Sequence, residues 1–202
     1  MIQHIGIDFD NTIVTYDEIF HKYALQLKLI LPVVKKNKED IRDAIRLLPD
    51  GNDKWTKLQG LVYGKYLDEA ESTRGVESFL KACKENSFKV SIISHKTVYP
   101  ALGPRINLQA AAKQWLKSRN FLAKFDLAQS DVVFEGTLNG KLNQIAKKGC
   151  NYFIDDLLEV LVHPDFPKGV KKILYSNRVG KDIYNDIINF EAWHEIKEYF
   201  FG

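Results

Sequence analysis

The chain has 202 residues, 45% hydrophobic and 27% charged, with a net charge of +3. This suits one soluble globular domain with a modest insertion. The small charge, spread without a dense Lys/Arg stripe, speaks against nucleic-acid binding, and no run reaches the roughly 18 apolar residues of a membrane span.

The first apolar run, HIGIDF, reads as a buried strand over residues 4–9, β-branched at Ile5 and Ile7. From Asp17 the spacing turns helical, with Phe20, Tyr23, Ala24 and Leu27 on one face, until Leu31-Pro32. The run Lys35, Lys36, Lys38 reads as a solvated loop. A second helix is predicted from about Lys38 to Leu48, stopped by Pro49-Asp50-Gly51. A third, from about Asp53 to Ala70, carries Trp55, Leu58, Leu61, Val62 and Tyr66, and its aromatics read as core packing.

After Arg74-Gly75, helices and strands alternate. Helices are predicted over Val76–Glu85 and about Leu108–Ser118, and a brief one near Lys141. Strands are predicted over Phe88–Ile93, Val132–Phe134, Tyr152–Ile154 and Lys172–Tyr175. An amphipathic helix, Ile187–Phe200, closes the chain. Alternation implies a three-layer, Rossmann-like α/β fold with a parallel sheet, whose ligands bind beyond the carboxyl ends of its strands. The predicted domains are an α/β core of residues 1–14 and 75–202 and a small helical cap of residues 15–74, inserted after the first strand as a lid.

Just past those strand ends stand Asp8, Asp10 and Thr12, then Ser94, then Lys141 opening a helix, then Asp155 and Asp156. A parallel sheet gathers all of them on one edge. Clustered carboxylates repel unless a cation sits among them, and oxygen-only ligands suit Mg2+. Phosphoryl oxygens need neutralisation by metal and lysine, and hydrogen bonds from hydroxyls. A carboxylate can attack phosphorus, and a second one two residues on, on the same face of a strand, can serve as acid and then base.

IDFDNTI resembles the first motif, DxDx[TV], of the haloacid dehalogenase-like (HAD) hydrolase superfamily. Ser94 after VSII resembles its second motif, Lys141 in GKLNQIAKK its third, with Lys147 and Lys148 as alternatives, and Asp155-Asp156 in YFIDDL its fourth. The resemblance covers nearly the whole chain and points to the phosphatase branch, with a helical cap after the first motif. It implies that Asp8 is the nucleophile and a metal ligand. Asp10 is the general acid and base and lends its backbone carbonyl to the metal. Thr12 steadies the loop, Ser94 binds the phosphoryl group and Lys141 neutralises charge. Asp155 and Asp156 hold Mg2+, one directly and one through water, in an order left open.

His95 and Lys96 follow Ser94 and read equally as substrate contacts or solvated loop residues; His95 joins Thr12 and Ser94 as a phosphate-binding candidate. The expected function is Mg2+-dependent hydrolysis of a small phosphomonoester through an aspartyl phosphate. The alternatives are a phosphotransferase or phosphomutase using the same intermediate, and a catalytically weak binding or regulatory module. The expected partner is a small phosphorylated metabolite, with neither nucleic acid nor membrane. Cys83 and Cys150 form no CxxC and no zinc spacing, as in two reduced thiols of a cytoplasmic protein. Acids interrupt the N-terminal run by Asp8, so no signal peptide is expected.

Overall fold

A computed structural model describes residues 3–177 and 186–202. The chain forms two compact units: residues 1–14, 72–96 and 120–202, and residues 15–71 and 97–119.

In the first unit, β1 (His4–Ile7) runs into a turn, and the chain passes out through β2 (Val14–Thr15). The second unit follows with α1 (Asp17–Gln26), α2 (Lys38–Arg46), α3 (Gly51–Val62) and a 3-10 turn at Leu67–Glu69. The chain returns through β3 (Glu71–Ser72), which pairs with β2 as a two-stranded ribbon. Then come α4 (Val76–Glu85), β4 (Lys89–His95), α5 (Leu108–Ser118), α6 (Phe121–Phe125), β5 (Val132–Glu135) and α7 (Leu138–Lys148). The chain ends with β6 (Tyr152–Asp155), α8 (Leu158–Leu161), β7 (Lys171–Tyr175), β8 (Ile187–Phe190) and α9 (Trp193–Phe201).

The main sheet has the order β5-β4-β1-β6-β7-β8, and every described pairing is parallel. The chain runs outward from β1 through β4 to β5, then crosses back to β6 on the other side. The order therefore reverses between β1 and β6, which makes the carboxyl edge of those two strands the switch point where open α/β sheets bind ligands. Ile7 pairs with Ile154 across that gap, and the Asp8 N–H donates to the Ile154 carbonyl at 2.9 Å.

Close packing fixes this centre. A Cβ on Gly6 would lie 2.6 Å from the Phe153 ring, so β1 can lie against that ring only with glycine there. Phe153 belongs to a buried cluster with Ile93, Leu142, Ile145 and Cys150. Leu142 and Ile145 come from α7, so α7 covers this face of the sheet. Thr137 caps that helix by accepting the Gly140 N–H at 3.0 Å, and Gly149 ends it with φ +66°.

The second unit is packed on aromatics. Phe20 stacks on Trp55 at 4.9 Å, Tyr16 meets Tyr63 edge-on at 4.9 Å, and Tyr23 stacks on Tyr66 at 3.4 Å. Residues 97–119, assigned to the core by the sequence, cluster with 15–71 instead. The reason is visible in the contacts: the Trp115 Nε1–H donates to the Ala70 carbonyl at 2.9 Å, and Arg119 donates to the carbonyls of Asp68 and Ala70. Gly60 leaves room for Pro100, whose Cβ would lie 2.7 Å from an added methyl.

Two further differences concern element type and length. Where one helix is predicted over Ile187–Phe200, residues 187–190 form strand β8 beside β7, and the helix starts at Trp193. The helix near Lys141 is not brief: it begins at Leu138 and has 11 residues. Among the described residues, no helix is long and apolar enough to cross a membrane.

Candidate active site

Side chains two apart on a strand share a face. Asp8 stands two residues after Gly6, and Asp155 two after Phe153, so both carboxylates continue the face that α7 covers. Lys141 lies on the buried stripe of α7 with Leu142 and Ile145. Its ammonium reaches up to the sheet edge, 2.5 Å from Asp8 Oδ1 and 2.6 Å from Asp155 Oδ2. The three side chains are 5% exposed or less. The remaining Asp155 oxygen accepts the Leu157 N–H at 3.0 Å. Asp156 stands half-buried beside them, and Thr12 Oγ1 donates to it at 3.5 Å. Of the alternative lysines, Lys147 is exposed and Lys148 pairs with Asp131 at 3.6 Å.

One ammonium thus serves two buried carboxylates. The Asp8 carboxyl is raised to about 7: burial pushes it up most, the Lys141 ammonium opposes that, and the neighbouring Asp155 and Asp10 carboxylates add to it. Burial opposes the charge on Lys141, but the Asp155 and Asp8 carboxylates outweigh it and hold the lysine above its ordinary value. The site's own side chains set two carboxylates against one ammonium. Oxygens of Asp8, Asp155 and Asp156 lie within 4.8 Å of one another, an all-oxygen set suited to a hard divalent cation. By that donor chemistry the residues fit Mg2+.

The same-face expectation for Asp8 and Asp10 presupposes a strand that carries both, and the strand stops before either. β1 ends at Ile7, and residues 9–14 form a tight turn in which Ile13 and Val14 both donate to the Phe9 carbonyl. Asn11 takes φ +57°, a conformation its short polar side chain tolerates. The turn carries the Asp10 carboxylate to a second lysine, Lys96, with Nζ 2.9 Å from Oδ1 and 2.7 Å from Oδ2. Lys96 is 4% exposed, so the solvated-loop alternative does not hold for it. The structure also adds Trp193, fully buried, whose Nε1–H donates to the Thr12 carbonyl at 3.1 Å. Neither partner has a local signal: Trp193 is 181 residues from Thr12 and Lys96 is 86 from Asp10.

Ser94 is buried at the end of β4, beside β1. His95 is exposed, and its ring Nε2 faces the Gly136 carbonyl at 3.3 Å. It is not drawn into the acid–lysine cluster.

Solved structures resemble the whole chain. A haloacid dehalogenase-like family hydrolase from Streptococcus pneumoniae matches with a TM-score of 0.63 and 16% identity, over 98% of both chains. A HAD-superfamily hydrolase from Ehrlichia chaffeensis gives 0.58 and 16%, over 98% of this chain and 97% of its own. A predicted phosphoglycolate phosphatase from Haemophilus somnus gives 0.56 and 14%, over 98% of both. The chain has the HAD-like hydrolase fold. No protein-family model and no curated protein matches it. Within that HAD-like fold, the chain's own acids and Lys141 stand at the switch point of the sheet.

Proposed function

We propose that the protein is a Mg2+-dependent phosphatase of small phosphorylated metabolites, working through an aspartyl phosphate on Asp8. The observation that carries this reading is the buried bridge of Lys141 between Asp8 and Asp155, with Asp156 completing an all-oxygen triad. Asp8, Asp155 and Asp156 would hold the metal, together with the Asp10 backbone carbonyl. The bound cation supplies charge neutralisation for the phosphoryl oxygens.

The chain's residues do the rest. An Asp8 oxygen bonds to phosphorus while the ester oxygen leaves, taking a proton from Asp10. Asp10, now a carboxylate, takes a proton from water as that water attacks phosphorus and frees Asp8. Lys141 offsets the negative charge between Asp8 and the phosphoryl group, Ser94 hydrogen-bonds it, and Thr12 steadies the turn.

The chain enters the helical unit immediately after both motif segments, at Thr15 and at Thr97. We assign that unit the part of the cap that selects the leaving group. Two free, buried cysteines suit the reducing cytoplasm.

The test is phosphate release from a panel of phosphorylated metabolites, phosphoglycolate included, with Mg2+ and with EDTA, for the native protein and Asp8→Asn. Metal-dependent release that falls by at least about 1000-fold in the variant, with the native fold kept, is the expected result. Near-native activity of Asp8→Asn would refute the mechanism.

A further inference from the structure

Lys96 has no role in the scheme above, yet its placement is specific. It follows β4 directly, and its backbone N–H donates to the Glu135 carbonyl at 2.8 Å. Its side chain is 3% exposed, and its ammonium lies 5.8 Å from the centre of the Phe9 ring. Both Asp10 oxygens lie within 2.9 Å of it. A buried lysine loses its hydration, and a hydrophobic residue of similar size would pack there at no such cost. Contact with both oxygens also restricts rotation of the carboxylate, which contact with one would leave free.

We propose that Lys96 is a positioning residue for Asp10: it holds the carboxyl of the general acid/base in one orientation. This rests on the phosphatase reading. Two consequences follow from the geometry. Asp10 is kept where proton transfer to the leaving oxygen, and from water, starts from a fixed place. Once Asp10 has given up its proton, the ammonium also offsets the new carboxylate charge two residues from the phosphorylated nucleophile. Lys96 then acts through Asp10 and not by touching substrate, in contrast to Lys141, which contacts the nucleophile itself.

The experiment is a double-mutant cycle of Lys96→Met and Asp10→Asn, read as kcat and KM separately on the best substrate of the metabolite panel. Lys96→Met is expected to lower kcat by about tenfold or more and to leave KM within about twofold. In the Asp10→Asn background it should change kcat by less than about twofold, because the group it positions is already disabled. A rise in KM at constant kcat would mean that Lys96 binds substrate, and would overturn the proposal. So would a loss that multiplies fully onto that of Asp10→Asn.

If Lys96→Met fails to fold, the comparison of Asp10→Asn with the double variant still decides, since both lack the stranded carboxylate. A native protein with no phosphate release overturns the phosphatase reading and this role with it. Release by the native protein with additive losses in the cycle overturns the role alone.

Discussion

Two buried lysines, Lys96 and Lys141, meet acids that stand two residues apart in sequence, Asp10 and Asp8, in different surroundings. At Lys141, one ammonium is shared by Asp8 and Asp155, and all three side chains are 5% exposed or less. At Lys96, the ammonium meets both oxygens of Asp10, whose side chain keeps 21% of its exposure. The first is one positive charge short and dry. The second gives its acid an ammonium on both oxygens, and water reaches that acid. Under the proposed function, a site that accepts a cation is better left short of one, while a group that is held in place is better paired.

The sharpest way to break the comparison is to remove each lysine. Lys141→Met leaves two buried carboxylates without a counter-charge, and loss of one partner of a buried pair costs about 3–5 kcal/mol. Lys96→Met leaves a single acid with access to water, and about 1–2 kcal/mol is expected. Urea unfolding of both variants in EDTA measures the gap. Equal costs would mean that burial, and not the number of carboxylates per ammonium, governs the two sites.

The shortage also has a pH signature. Because Asp8 is raised to about 7, the folded metal-free protein keeps a proton that the unfolded chain releases near pH 3.9. The native state then binds more protons than the unfolded state between those values, so stability falls as pH rises through that window. The stabilising contribution is complete below pH about 4 and is lost as pH passes about 7. In Asp8→Asn this part of the decline should vanish. The urea midpoint from pH 4.5 to 8 in EDTA is the measurement, and an identical decline in the variant would refute the assignment. Added Mg2+ should flatten the native curve, since a cation supplies the missing charge.

The parts of the site that were legible in the sequence follow from strand ends and short periods. Asp8 and Asp155 could be placed on one edge because each closes an apolar run, and a parallel sheet aligns such ends. Lys141 was placed by its helix, although the helix proved longer and the lysine lies on its buried stripe. What escaped depends on long-range pairing. Nothing near Lys96 says that it meets Asp10, because the two stand 86 residues apart and only the pairing of β1 with β4 brings them together. Ile187, Ile188 and Phe190 precede Trp193 and Ile196 closely enough to look helical; their pairing with β7 decides for strand. The clustering of 97–119 with the helical unit depends on glycines and a tryptophan in separate segments.

The smallest expected effect separates the two supports of the turn after β1. Trp193 holds that turn from the far end of the chain, through its Nε1–H and the Thr12 carbonyl, with its ring on Phe79 at 5.0 Å. Trp193→Phe keeps an aromatic ring in the core and removes the donor, which should cost about 1 kcal/mol for the lost hydrogen bond, plus a packing penalty for the smaller ring. If Lys96 fixes Asp10 directly, kcat should fall by no more than about threefold, well short of the loss in Lys96→Met. Should the two variants lose kcat equally, the backbone of the turn would control where Asp10 sits, and the charge on Lys96 would be secondary to it. Measuring kcat for both at one temperature, well below either melting transition, keeps the stability loss out of that comparison.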